Sequence, residues 1–579
     1  MQRSPSVLAF ALAALAAPVL ALPQAGGGAP PSEASQAAKA DEIAALVPKN
    51  AFFVLRIASL DEAQAILRSL WQAFVPEVDA EAIDLRELLQ AVAPGLDPAL
   101  VAGDRPLAIA FSLDATSKQP LPTAILPIAD IDAYKASLPE PGAGEPAPLL
   151  RGSYVAHSQL PGYQPAAEAP ALALGAPAST LAASLDLEAL IEAFGTEIEM
   201  GLDHFEQIAD MQAVPAAGMD PGEMIALYLD GLRAVLDSAE RLDLSLAAPR
   251  GELETGWRLS VTEGSPMAAL AGPGPTSLRE TAKLADGNAP MVMLFGLDLA
   301  KQTALFESFF DAVLDVYPEP ARADLRRYMD AQKELYPLFG SSMAISGSFD
   351  AKGMRFAYYL KPTNPEAFVE KYGEALGEFV GTSAMGIQIG EPAQVEVEGL
   401  KVTQVSFSVD VAKLTEAMEA AGGAAGDPEQ AEMMRSFFER MYPPEGMRLS
   451  LASRGEHAVM VLGGDDAFLR GALRRLQVGG SPPPADLARA LDRVGAAHPS
   501  FVMRFDVGVF LSGVGELLTP MLGPGVFPDV SDLSAPVTVY AGIEGLRWYG
   551  GSSSDTARMG ALVRRLSQAG QAPAAPEEK

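Results

Sequence analysis

The sequence predicts an α+β protein: repeated strand–helix and hairpin–helix units forming curved, mostly antiparallel sheets with helices on one face. Three observations carry that prediction. Short apolar runs rich in Phe, Val and Met alternate with amphipathic stretches. Paired strand-like runs are joined by turns, which favours antiparallel neighbours. Three motifs also return along the 579 residues in the same order.

The first motif opens at Asn50 as N-A-F-F-V-L-R-I-A-S-L-D. It returns at Asn288 as N-A-P-M-V-M-L-F-G-L-D, and a third time from His498 as H-P-S-F-V-M-R-F-D-V. Each version reads as a strand. Asp61, Asp298 or Asp506 follows, where a carboxylate can cap first-turn N–H groups and meet the positive end of the helix dipole. Helices are expected over 62–74, 300–316 and 509–521.

The second motif pairs 107–115 (L-A-I-A-F-S-L-D-A) with 343–351 (M-A-I-S-G-S-F-D-A). A second strand is expected over 123–126 and 355–360. Asp130 and Asn364-Pro365 then open helices; an Asn cap followed by Pro is a strong start signal. Gly545-Leu546-Arg547-Trp548 resembles Gly353-Met354-Arg355-Phe356, and a last helix is expected over 555–566. The third motif pairs Leu244-Ser245-Leu246-Ala247 with Leu449-Ser450-Leu451-Ala452, each followed by Arg-Gly-Glu at a hairpin turn. Strict alternation marks strands with one buried face.

The resulting organisation is an export signal (1–21), a linker (22–44), module one (45–280), module two (284–480), a partial third copy (490–566) and a tail (567–579). Arg3 and the apolar stretch 7–22 carry the export signal, with cleavage expected after Ala21. No later stretch is long and apolar enough to span a bilayer. The opening A-A-L-V-P-K-N-A-F-F-V-L-R-I-A-S-L-D at 44–61, behind such a signal, resembles exported bacterial proteins of a domain-of-unknown-function family. The resemblance implies export and transfers no functional residues.

Composition narrows the chemistry. The net charge of −32 argues against nucleic acid, whose binding needs clustered Lys and Arg, and reads as solubility. There is no cysteine, which removes disulfides, thiolate chemistry, Cys-bound zinc and an N-terminal lipid anchor. The expected location is periplasmic or extracellular, as a soluble protein rather than a lipoprotein.

The four histidines, His157, His204, His457 and His498, form no local ligand pair. No nucleophile elbow, phosphate-binding loop or dinucleotide fingerprint is present, so no catalytic, cofactor-binding or metal residue is assigned and no cofactor is expected. Ser552-Ser553-Ser554-Asp555 reads as a turn and helix cap. Gly463-Gly464-Asp465-Asp466 reads as a cap rather than a calcium loop. One constellation points to a ligand: Phe306, Phe309 and Phe310 with Met433, Met434, Phe437, Phe438 and Met441, which could line an adaptable apolar pocket.

These readings converge on an exported, non-enzymatic binding or structural protein. The alternative is a periplasmic carrier of an apolar ligand such as a lipid. A hydrolase with a site assembled across modules is the third reading. The compatible partners are an apolar small molecule or another protein.

Overall fold

The structure is a computed structural model. It describes residues 42–74, 84–93, 95–114, 117–138, 147–165, 179–212, 221–248, 251–265, 267–270, 278–296, 321–350, 353–382, 387–413, 435–436, 439, 446–495, 497, 499–522 and 528–570. The expected export signal, most of the linker and most of the tail lie outside the described residues, as does the helix expected over 300–316.

In chain order the strands are β1 (Ala51–Ile57), β2 (Leu107–Leu113), β3 (Pro120–Pro127), β4 (Leu149–Arg151), β5 (Tyr154–Ser158), β6 (Leu181–Asp186), β7 (Ala239–Ala247), β8 (Glu252–Val261), β9 (Met291–Gly296), β10 (Ser342–Asp350), β11 (Gly353–Leu360), β12 (Gly381–Thr382), β13 (Ile387–Ile389), β14 (Ala393–Val397), β15 (Leu400–Val409), β16 (Met447–Arg454), β17 (His457–Gly463), β18 (Ser500–Asp506), β19 (Pro536–Glu544) and β20 (Arg547–Asp555). The helices are α1 (Leu60–Phe74), α2 (Leu85–Val92), α3 (Ile131–Ser137), α4 (Leu187–Gln212), α5 (Pro221–Ser238), α6 (Leu278–Leu284), α7 (Ala321–Lys333), α8 (Pro365–Gly377), α9 (Asp466–Val478), α10 (Ala485–Val494), α11 (Val507–Leu522) and α12 (Thr556–Gly570). The α+β class and the antiparallel pairing follow the expectation from sequence.

The chain divides into two compact units. Unit one comprises Met1–Gly195, Ala239–Thr262 and Arg547–Ser567; unit two comprises Thr196–Ser238, Glu263–Leu546 and Gln568–Lys579. The segment 490–566 therefore contributes strands to both: β18 pairs with β9 in unit two, and β20 pairs with β8 in unit one.

Unit one has the antiparallel strand order β4-β5-β3-β2-β1-β6-β7-β8-β20. Its first motif becomes β1, flanked on both sides. Alternation along β1 sends Leu55 and Ile57 to a core with Leu60 of α1, Leu89 of α2 and Tyr134 of α3. Val54 faces the other way, against Ile43, Leu46, Val47 and Tyr154. Ile43 and Ala44, expected in the linker, are already buried. Each fully buried Leu or Ile contributes about 1.5–3 kcal/mol by leaving water.

The caps differ in one detail from expectation. Ser59 accepts from the Glu62 amide (3.1 Å) at the start of α1, whereas Asp61 lies inside the first turn and pairs with Arg86 at 2.7 Å. The helix begins at Leu60, two residues earlier than the sequence suggested, so Ser59 takes the capping position. Asp130 caps α3 as expected, accepting from the Asp132 and Ala133 amides.

Ser552–Ser554, expected in a turn, continue β20 instead. The glycines Gly550 and Gly551 and the following serines pair with β8, and the Thr255 and Ser552 hydroxyls meet at 2.8 Å. Asp555 supplies the helix cap, accepting from the Arg558 amide.

Unit two has the antiparallel order β19-β18-β9-β10-β11-β17-β16-β15, with β13 and β14 both pairing with β15 and β12 with β13. Asn364 caps α8 through the Ala367 amide with Pro365 at the first helical position, as expected. Phe368 of α8 packs on Tyr358, Leu451 and Met460. The alternate residue Tyr359 points to the opposite face, where α9 lies, so helices cover both faces of this sheet. The Arg454–His457 pair closes the β16–β17 hairpin, and Gly455 adopts φ of 58° there, as a tight turn requires.

Candidate functional site

Unit two holds a cavity of about 410 Å3 lined by strand residues of β10 and β11 and by helices α9 and α11. Its floor comes from register. Ala344 opposes Tyr359, Ser346 opposes Ala357 and Ser348 opposes Arg355, so all six share one face. Serine and alanine in the middle of that face leave the space. A bulkier pair would fill it.

The walls are positioned by caps. Asp465 accepts from the Phe468 amide at 2.9 Å and starts α9, as its sequence predicted. Gly463 precedes it with φ of 68°, and a Cβ there would lie 2.3 Å from the Met354 carbonyl oxygen, so glycine is needed for β17 to end beside β11. The helix then presents Phe468, Ala472 and Arg475 to the cavity. Asp506, 4 % exposed, accepts from the Val509 amide (3.2 Å) and from the Ala535 amide (2.9 Å). That double role fixes α11, which presents Val509, Ser512, Gly513 and Glu516. The turn before β9 adds Asp286, Asn288, Ala289 and Pro290, and Phe349 and Ser531 complete the lining.

The electrostatics are mixed. Arg475 Nη2 lies 2.6 Å from Asp286 Oδ2, an ion pair about one-third exposed on each side. Arg355 donates to the Ser348 hydroxyl, and its guanidinium lies 5.9 Å from the Phe468 ring centre. Tyr359 is fully buried; Arg475 stands beside its hydroxyl as a donor, and the hydroxyl proton has no acceptor among the described residues. Burial pushes its pKa up to about 12, with the neighbouring Arg475 lowering it and Asp286 raising it. At neutral pH this hydroxyl is a neutral donor held at an otherwise half-polar cavity.

The eight Phe and Met residues expected to line a pocket, Phe306, Phe309, Phe310, Met433, Met434, Phe437, Phe438 and Met441, all lie outside the described residues. The cavity uses other residues. The signal for it was present in 355–360, where Arg355, Ala357 and Tyr359 alternate with Phe356, Tyr358 and Leu360. Such a strand has one greasy face and one face of small and polar groups. Asp286 and Arg475, far apart in sequence, carried no signal.

The described histidines stay apart from this cavity. His157 Nε2 meets the Tyr134 hydroxyl at 2.6 Å in unit one, and burial lowers the His157 pKa. His204 is exposed on α4. His457 has its pKa lowered by burial and then by Lys361, which bridges Glu280 (2.8 Å) and Glu456 (3.1 Å). Asp529 turns inward on its own loop, accepting from the Ser531 amide and hydroxyl. Among the described residues no group of three or more His, Asp or Glu is placed to hold a metal ion. No described helix is long and apolar enough to cross a membrane.

No protein-family model and no curated protein matches the chain. Among solved structures, crystal form I of TP0453 aligns over 51 % of this chain and 99 % of that one at 12 % identity and a TM-score of 0.21. Form IV aligns over 50 % and 97 % at 10 % identity and a TM-score of 0.23. Form III aligns over 50 % and 98 % at 9 % identity and a TM-score of 0.22.

Proposed function

We propose that this chain is an exported, non-enzymatic binding protein that holds a small molecule in the cavity of unit two. The observation that supports the reading is the cavity itself. Its volume of about 410 Å3 falls within the usual range for small-ligand sites. Its lining combines apolar groups (Phe349, Phe468, Val509) with a few fixed polar ones. Export rests on Arg3 and the apolar stretch that follows it.

Native mass spectrometry of the full chain, released gently from its cell envelope fraction, tests the reading. A bound small molecule is expected, displaced when Ala357→Leu fills the cavity floor. Loss of folding in that variant would be seen by circular dichroism, and Ser512→Leu then fills the same space from α11. A molecule that stays bound in both folded variants would place the site elsewhere.

A further inference from the structure

We infer that the cavity of unit two selects a small amphiphile with a carboxylate head, whose head meets Tyr359, Arg475 and Arg355 and whose tail lies on Phe349 and Phe468. This rests on the binding reading above and adds the chemical class of the ligand.

The argument is a count of donors against acceptors. Tyr359 brings a buried hydroxyl whose proton has no acceptor among the described residues, and a neutral phenol of this kind donates best to an anion. A buried polar group left unmatched is costly, so a ligand that accepts from it gains directly. Arg475 and Arg355 bring two guanidinium groups to the same lining. Arg475 holds Asp286 and stands beside the Tyr359 hydroxyl, and Arg355 donates to Ser348; the planar fork of N–H donors on a guanidinium matches a carboxylate. Serines 346, 348 and 512 add hydroxyls that rotate to donate.

The acceptor side is weaker. Asp286 is engaged by Arg475, and Glu516 stands exposed on α11. A cationic ligand would have to compete with Arg475 for Asp286 and would face two arginines. It would also leave Tyr359 unsatisfied, since burial keeps that phenol from ionising to serve it. The ring of Phe468, already beside the Arg355 guanidinium at 5.9 Å, sets the apolar wall next to the charged one. An amphiphile fits this juxtaposition better than a fully polar anion.

Three probes of equal chain length separate the head chemistry: octanoate, octanol and octylamine, each titrated calorimetrically into the full chain. Octanoate is expected to bind at least tenfold more tightly than either of the others. Tyr359→Phe is expected to weaken octanoate about tenfold and to leave octanol unchanged, a split that a merely structural role would not give. Equal binding of octanol and octanoate, or tighter binding of octylamine, would overturn the carboxylate assignment while leaving a binding cavity in place. No binding of any of the three, with the cavity-filling variants also without effect, would overturn both.

Discussion

Arg56 and Arg504 stand at the same place in two versions of one motif, F-V-L-R-I and F-V-M-R-F, and meet different surroundings. Arg504, on β18, places its Nε 2.8 Å from Asp486 Oδ2 at the start of α10 and its Nη1 3.4 Å from the Ala289 carbonyl. The two side chains are 14 % and 23 % exposed. Arg56, on β1, is 4 % exposed, and its Nε and Nη1 have no hydrogen-bond partner among the described residues. Burial lowers its pKa. The described segment before β1 offers Ile43, Leu46 and Val47 to this face, where the segment before β18 offers Asp486. A similar strand sequence therefore fixes where an arginine sits and leaves its partner to whatever packs on it.

The buried tyrosines extend the contrast. Tyr154 in unit one and Tyr359 in unit two are both fully buried, each with an arginine beside its hydroxyl and no acceptor for the hydroxyl proton among the described residues. The arginines are Arg105, 5.0 Å from the Tyr154 ring centre, and Arg475, which offsets part of the upward push that burial gives the Tyr359 pKa. In unit two the arginine has Asp286 and a cavity beside it; in unit one Arg105 donates to the Ser153 hydroxyl.

The largest expected effect breaks the better-compensated half of the comparison. Asp486→Ala removes the partner of a mostly buried guanidinium and should cost about 3 kcal/mol. Denaturant titration followed by circular dichroism measures it, and a loss below about 0.5 kcal/mol would show that Arg504 is solvated after all. The three tryptophans, Trp71, Trp257 and Trp548, all belong to unit one, so their fluorescence should move little with this substitution.

Next in size is a difference between the arginines. Arg504→Met should destabilise by about 1–3 kcal/mol, because it strands Asp486. Arg56→Met should change stability by less than about 1 kcal/mol or raise it, since exchanging a buried charge for an apolar side chain of similar length is often neutral. Tryptophan fluorescence reads the Arg56 variant directly. Equal losses at the two positions would erase the distinction.

Proton linkage gives a third test. His157 is neutral in the fold, with its pKa lowered below the ordinary 6.5 by burial. Above pH 6.5 neither state binds the proton, and this histidine makes no difference. As pH falls below 6.5, the unfolded chain takes up the proton first, so stability declines until the lowered folded pKa is reached. The fluorescence-detected stability of unit one should therefore fall between pH 7 and pH 5. His157→Gln should flatten part of that slope. An unchanged slope would mean that other groups carry it.

The smallest expected effect is on the tyrosine hydroxyls. Tyr154→Phe and Tyr359→Phe should each shift stability by less than about 1 kcal/mol, because the relief of hydroxyl desolvation offsets the loss of its contact with the neighbouring arginine. Thermal unfolding checks both. A loss above about 2 kcal/mol at either position would show that the arginine contact outweighs the desolvation of the hydroxyl.

Sequence reasoning reached the strands and many helix starts because those signals are local. Alternation of Leu244 and Leu246, the Asn364-Pro365 pair, and Asp130, Asp465 and Asp506 before helices each act within a few residues. It placed Ser552–Ser554 in a turn because serines after glycines look like one. Pairing with β8 drew them into a strand, a choice made by a segment almost three hundred residues away, as the Thr255–Ser552 bond shows.

The sequence by itself determined the α+β class, the antiparallel habit and the positions of both motif arginines, since periodicity and turn chemistry are short-range. Tertiary structure decided which arginine has a carboxylate, how 490–566 is divided between the units, and that Tyr359, Arg475 and Asp286 surround one cavity. Those outcomes depend on which surfaces meet across the fold, and desolvation sets their energies only once the surfaces have met.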